Sequence, residues 1–100
     1  MAQKNKRMQT LKELVKNPST LIVDVRSPWE FDIEHVPGAM NIPLEELVYK
    51  AEELRETGKP VVLYCRSGNR SGMALSLLRQ KGLTDIYNGG GLDDVKYLLN

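Results

Sequence analysis

The chain is poor in residues that staple, ligate or span. Its 100 residues include one cysteine and one histidine. An intrachain disulfide is impossible, and one cysteine cannot build a thiolate metal cluster. No run approaches the roughly 18 apolar residues of a membrane span. The opening, Met1 to Thr10, is polar and basic. It lacks the about 7–15 apolar residues of a secretory signal. Neither sign of charge is in excess, since the net value is +1. That gives no global field for nucleic acid or a membrane surface. There is no internal repeat and no low-complexity tract. These absences predict a cytoplasmic protein without nucleic-acid or membrane partners, and a domain this small is expected to stand alone as a monomer.

What remains has the balance of a soluble globular chain, 41% hydrophobic and 27% charged. One domain over 1–100 is expected, burying roughly two-thirds of the surface its unfolded form exposes. Charge is uneven along it. Lys4, Lys6, Arg7, Lys12 and Lys16 face only Glu13 in the first 16 residues. Glu45, Glu46, Glu52, Glu53 and Glu56 outnumber Lys50 and Arg55 over 44–58. A basic arm for an acidic partner is one reading, and two solvated helix faces is the preferred one.

The apolar pattern alternates between two periods. Leu11, Leu14 and Val15 have helical spacing. Thr20–Val25 is a β-branched run that reads as a buried strand. Ser27-Pro28-Trp29-Glu30 opens a short helix, with Ser27 and Glu30 as a capping box and Pro28 in the first turn. Pro37-Gly38 breaks it, and Ala39–Ile42 is a short strand. Leu44, Leu47, Val48, Ala51 and Leu54 form a helical stripe ending at Thr57-Gly58. Val61–Tyr64 is the most strand-like segment. Residues 70–81 are helical up to Gly82, Asp85–Tyr87 is a last strand, and Leu92, Val95, Leu98 and Leu99 make a final helix. Apolar strands alternating with helices predict an α/β fold: a mainly parallel sheet of four or five short strands, covered on both faces. Ligand sites in such sheets lie at the carboxyl ends of the strands.

That rule points to Cys65-Arg66-Ser67-Gly68-Asn69-Arg70-Ser71-Gly72, which joins the strand ending at Tyr64 to a helix. Ser67, Gly68 and Asn69 let the backbone curl so that several N–H groups point inward. With the helix N-terminus they form an anion site. Arg66 and Arg70 add positive charge. A free thiol titrates near about 8.5. Donors and cations around Cys65 are expected to pull it lower. A buried structural cysteine is the plainer reading, and this context argues for a functional one.

The segment Cys65 to Ser71 resembles the active-site loop of the rhodanese family. Asp24-Val25-Arg26, Glu30-Phe31, His35-Val36-Pro37-Gly38-Ala39 and Asn41-Ile42-Pro43 resemble that family's first signature, in order. Gly89-Gly90 before the last helix resembles its closing one. The resemblance spans about residues 8–99 and implies a three-layer rhodanese-like α/β/α domain. Departures are Glu34 before the histidine, Asp93-Asp94-Val95 where the family often has a tryptophan, and a barely strand-like Lys6–Met8 where a first strand would fall.

The resemblance implies a sulfurtransferase. Cys65 would take sulfane sulfur from thiosulfate or a persulfide donor and become a persulfide, with the amides of residues 66–70 cradling the outer sulfur. Cyanide or a thiol acceptor, a small thiol or a thioredoxin-like protein, would then take it by ping-pong kinetics. Arg66 and Arg70 would attract an anionic donor, Ser67, Gly68 and Asn69 would supply N–H groups, and Ser71 would cap the helix. No metal or organic cofactor is implied. Phosphatases of related fold carry a loop one residue longer, Cys-x5-Arg, which resembles a wider cradle fitted to a tetrahedral phosphate, whereas the spacing here is Cys-x4-Arg. A tighter ring of donors suits one sulfur atom, which ranks a phosphatase or arsenate reductase lower. A binding or sulfur-relay module without independent turnover is the other alternative.

Plainer roles are expected elsewhere. His35 is read as a turn residue rather than a base. Asp24 and Arg26 are read with Glu30 as an ion pair fixing the neighbouring loop. Trp29 and Phe31 are expected in core or rim packing. Gly89-Gly90-Gly91 lacks G-x-G-x-x-G spacing and is read as a tight turn.

Overall fold

Each of the two periods produces its own kind of element. The computed structural model describes residues 9–100. The basic residues Lys4, Lys6 and Arg7, and the weak strand at Lys6–Met8, lie outside them. Thr10 starts helix α1 (Leu11–Lys16), its hydroxyl accepting the Glu13 amide while Glu13 accepts the Thr10 amide. There follow β1 (Leu21–Asp24), α2 (Pro28–Ile33), β2 (Met40–Asn41), a short 3-10 turn (Leu44–Glu46) and α3 (Leu47–Glu56). Then come β3 (Val61–Cys65), α4 (Asn69–Gln80), β4 (Ile86–Gly91) and α5 (Leu92–Leu99). No helix among the described residues is long and apolar enough to cross a membrane.

The four strands form one all-parallel sheet in the order β2-β1-β3-β4. Alternation along β3 divides the core. Val61, Leu63 and Cys65 pack with Leu47, Ala51 and Leu54 of α3 and with Ala74 and Leu78 of α4. Val62 and Tyr64 pack with Leu14 and Val15 of α1 and with Leu92 and Val95 of α5. The result is the expected three layers, with every β3 side chain buried. Burial on both faces explains why β3 reads as an unbroken apolar run. Cys65 thus ends a central strand, on the face covered by α4.

Three expectations are corrected. The last strand is not confined to Asp85–Tyr87, and the triple glycine is not a turn: β4 runs from Ile86 through Gly91. The sequence hides this because glycine has low strand propensity. Packing requires it nonetheless. A Cβ on Gly89 would lie 2.9 Å from Val62 Cγ1 and 3.0 Å from Val95 Cγ2. Trp29, expected in packing, is 67% exposed.

Candidate active site

The loop after β3 is shaped by contact between two backbones. Leu63 pairs with Asn88 and Cys65 with Gly91, so two steps along β3 oppose three along β4. The extra residue is a bulge, with Gly90 at φ +90°. The bulge brings β4 against the loop: a Cβ on Gly91 would sit 2.4 Å from the Arg66 carbonyl oxygen, and one on Gly68 would sit 3.3 Å from Gly90 Cα. Gly68 itself has φ +103° and turns the chain into α4. A side chain there would be strained. These glycines let the loop lie flat on its neighbour.

Around Cys65 Sγ the geometry is that of an anion cradle. The Gly68 amide donates to the sulfur at 3.0 Å and the Ser71 amide at 3.4 Å, and the Ser71 hydroxyl lies 3.5 Å away. Cys65 is 1% exposed. Burial pushes the thiol up and is the largest single influence. The Ser71 hydroxyl and the amides of Ser71, Gly68 and Ser67 together outweigh it, and the net shift is downward. A hydrogen-bonded thiol whose ionisation is favoured is the better nucleophile.

The expected residues separate into distinct places. Ser67 and Gly68 turn amides inward, as does Ser71, one residue beyond the expected 66–70 run. Asn69 is the exposed first residue of α4, and Arg66 is exposed beside the loop. Ser71 does not cap the helix. Gly68 holds the N-cap position, and Ser71 lies buried in the first turn with its hydroxyl donated to Asn88 Oδ1 at 2.7 Å. Arg70 is held by Glu30, its Nη1 and Nη2 donating to the two carboxylate oxygens at 2.9 and 3.2 Å. Glu30 also accepts the Ser27 amide and hydroxyl. With the Arg70 guanidinium foremost, and against its own burial, this holds Glu30 down to about 2.

Glu30 therefore does not join the Asp24–Arg26 pair by any such bond. Those two are fully buried, linked by bonds of 2.7–3.1 Å, and Arg26 Nη2 also donates to the Glu34 carbonyl at 2.6 Å. Asp24 aligns with Tyr64 across β1 and β3, and the Tyr64 hydroxyl accepts the Val36 amide at 3.0 Å. This knot fixes the segment after α2. His35 is exposed, stacked on Phe31 with ring centroids 3.8 Å apart, and its Nδ1 lies 2.8 Å from the Phe31 carbonyl. That geometry is a local clasp.

Two contributors went unread in the sequence. Asn88 accepts from Ser71 and, at 2.9 Å, from the Gly90 amide, while its Nδ2 donates to the Gly68 carbonyl at 3.1 Å. One side chain thus ties the bulge, the loop and the first turn of α4. Its signal was a polar residue on the α4 side of a strand, just before three glycines. The second is Glu30 as the partner of Arg70, hidden because 40 residues separate them.

The chain's resemblances agree with this geometry. A family model described as the rhodanese-like domain matches residues 7–96. An uncharacterized protein of Bacillus subtilis, YqhL, is 51% identical over 67 residues, covering 67% of this chain and 52% of that protein. The chain therefore spans about half that relative's length. Thiosulfate sulfurtransferase PspE of Escherichia coli is 40% identical over 74 residues, covering 73% of this chain and 71% of PspE. Among solved structures, a rhodanese with anions from E. coli superposes with a TM-score of 0.69 at 39% identity, covering 75% of this chain and 89% of that one. A cysteine cradled at the end of the third strand, a family model that matches nearly the whole chain and a relative 40% identical over 73% of it leave one conclusion: the chain belongs to the rhodanese-like domain family.

Proposed function

We propose that the protein is a sulfurtransferase that carries sulfane sulfur as a persulfide on Cys65. The observation that carries this is the Gly68 amide 3.0 Å from Sγ, with the Ser71 amide behind it. Donors aimed at the sulfur lower the cost of the thiolate and of the persulfide anion that replaces it.

The first half-reaction is a displacement. The Cys65 thiolate attacks the outer sulfur of the donor and a new S–S bond forms. The donor's S–S bond breaks, and its electron pair leaves with sulfite when the donor is thiosulfate, or with a thiolate when the donor is a persulfide. In the second half-reaction an acceptor, cyanide or a thiol, attacks the outer sulfur of the Cys65 persulfide and regenerates the thiolate. Arg66 is the exposed cation at the loop. Ser67, Gly68 and Ser71 supply amides, Asn69 and Arg70 begin the helix whose N-terminal end favours the anion, and Asn88 holds the loop's shape. Being the thiosulfate sulfurtransferase it is named, PspE supports this reading, and the short Cys-x4-Arg loop favours a single sulfur atom over a tetrahedral oxyanion.

The test is thiocyanate release from thiosulfate and cyanide, with initial rates measured against both substrates. Parallel double-reciprocal lines are the expected result. Turnover that survives Cys65→Ala contradicts the proposal.

A further inference from the structure

We propose that Glu30 is a specificity-determining residue that cancels the charge of Arg70, so that the site selects sulfur donors with at most one negative charge, such as the persulfide of a thiol, over a doubly charged donor such as thiosulfate. This rests on the sulfur-transfer reading and names the donor class for that same site.

The loop carries two cations, Arg66 and Arg70. Arg70 lies close enough to Cys65 for the two charges to interact. Yet both of its terminal nitrogens are engaged by the two oxygens of Glu30, a fork that fixes the guanidinium and neutralises its field. The Glu30 side chain is only 14% exposed and is itself held by Ser27, so solvent screens this pair less than a surface one. Arg66 also acts on the carboxylate of Glu34. An incoming donor therefore meets the Cys65 thiolate with one cation in the loop rather than two.

Repulsion between donor and thiolate scales with the donor's charge. Thiosulfate brings two negative charges, and a thiol persulfide brings one or none. For the persulfide, the thiolate forms the new S–S bond, the old S–S bond breaks, and the pair leaves on a thiolate that takes a proton from solvent. Charge is conserved throughout, and no dianion enters or leaves. The only role required of Glu30 is to hold its charge where it lies.

The test measures the second-order rate of sulfur loading on Cys65 by intact mass at low ionic strength. Thiosulfate and the persulfide of mercaptoethanol are the probes. Glu30→Gln retains a capping-box acceptor for Ser27 while freeing the Arg70 charge. We expect loading from thiosulfate to rise about fivefold or more, with less than a twofold change for the mercaptoethanol persulfide. Added salt should erode the gain, and the double variant Glu30→Gln, Arg70→Gln should lose it. A clamp with no electrostatic role would change both donors equally. That result, or a gain that survives loss of Arg70, overturns the inference and leaves sulfur transfer intact. A wild-type protein that loads from neither donor overturns both.

Discussion

The Ser71 hydroxyl lies between Asn88 and Cys65, and Asn88 is the nearer. The Oγ–Oδ1 distance is 2.7 Å, against 3.5 Å to Cys65 Sγ. The Gly90 amide also donates to Asn88 Oδ1, which fixes that atom as the acceptor. The longer contact of this hydroxyl with the sulfur adds to the amides, which are the shorter donors, in favouring the thiolate.

Ser71→Ala follows from this. It removes the hydroxyl and keeps the amide. The loading rate should fall by less than about tenfold, the range of one modest hydrogen bond. Alkylation kinetics of Cys65 report the same point, and loss of all reactivity would assign the hydroxyl a role the geometry does not support.

The thiol should ionise below the about 8.5 of a free one, because the net shift of Cys65 is downward despite burial. The alkylation rate against pH should have its midpoint under that value. A depressed thiol contributes stability above its unfolded value, and that contribution is lost as pH falls through its folded value. Cys65→Ala should remove this dependence from the stability profile.

Glu30 gives a second pH signature, in acid. Its carboxyl is held down to about 2 by Arg70 and Ser27 against its own burial. The stability it contributes is present above the ordinary carboxylate value and fades as pH falls toward about 2. In urea titrations Glu30→Gln should lower stability in the neutral region and flatten that limb, with the two proteins converging toward a pH of about 2.

Backbone contact should outweigh backbone conformation. Gly91→Ala places a Cβ 2.4 Å from the Arg66 carbonyl oxygen, and neither backbone can yield without moving the loop. A loss of about 3 kcal/mol or more is expected. Gly58→Ala is the control, with φ +67° but open space around it, and should cost about 1 kcal/mol. Equal costs in urea unfolding would contradict the packing of β4 on the loop.

The Asp24–Arg26 pair is fully buried. Asp24→Asn leaves Arg26 charged without its partner, which typically costs about 3–5 kcal/mol. A near-neutral effect on thermal unfolding would show that this knot does not fix the segment after α2.

The layers and the reactive loop were legible because their signals are local. Val61–Tyr64 is an unbroken apolar run, and Cys65 to Gly72 follows it with turn residues and two arginines. The strand through Gly89–Gly91 was not legible. Glycine weakens strand propensity, and only the close approach of Val62, Val95 and the Arg66 carbonyl requires it there. Glu30 was paired with the nearer arginine, Arg26, because proximity in sequence was the only guide. The fold instead carries it to Arg70. Ser71 looked like a cap because serine favours helix starts, but Gly68 already occupies that position and frees the hydroxyl for Asn88.

The most direct measurement is the intact mass of the protein after incubation with a sulfane-sulfur donor, thiosulfate and mercaptoethanol persulfide each in turn. The account predicts a gain of one sulfur atom on wild type, removed by cyanide, and no gain on Cys65→Ala. A wild-type mass unchanged by either donor, or an equal gain on the alanine variant, would contradict it.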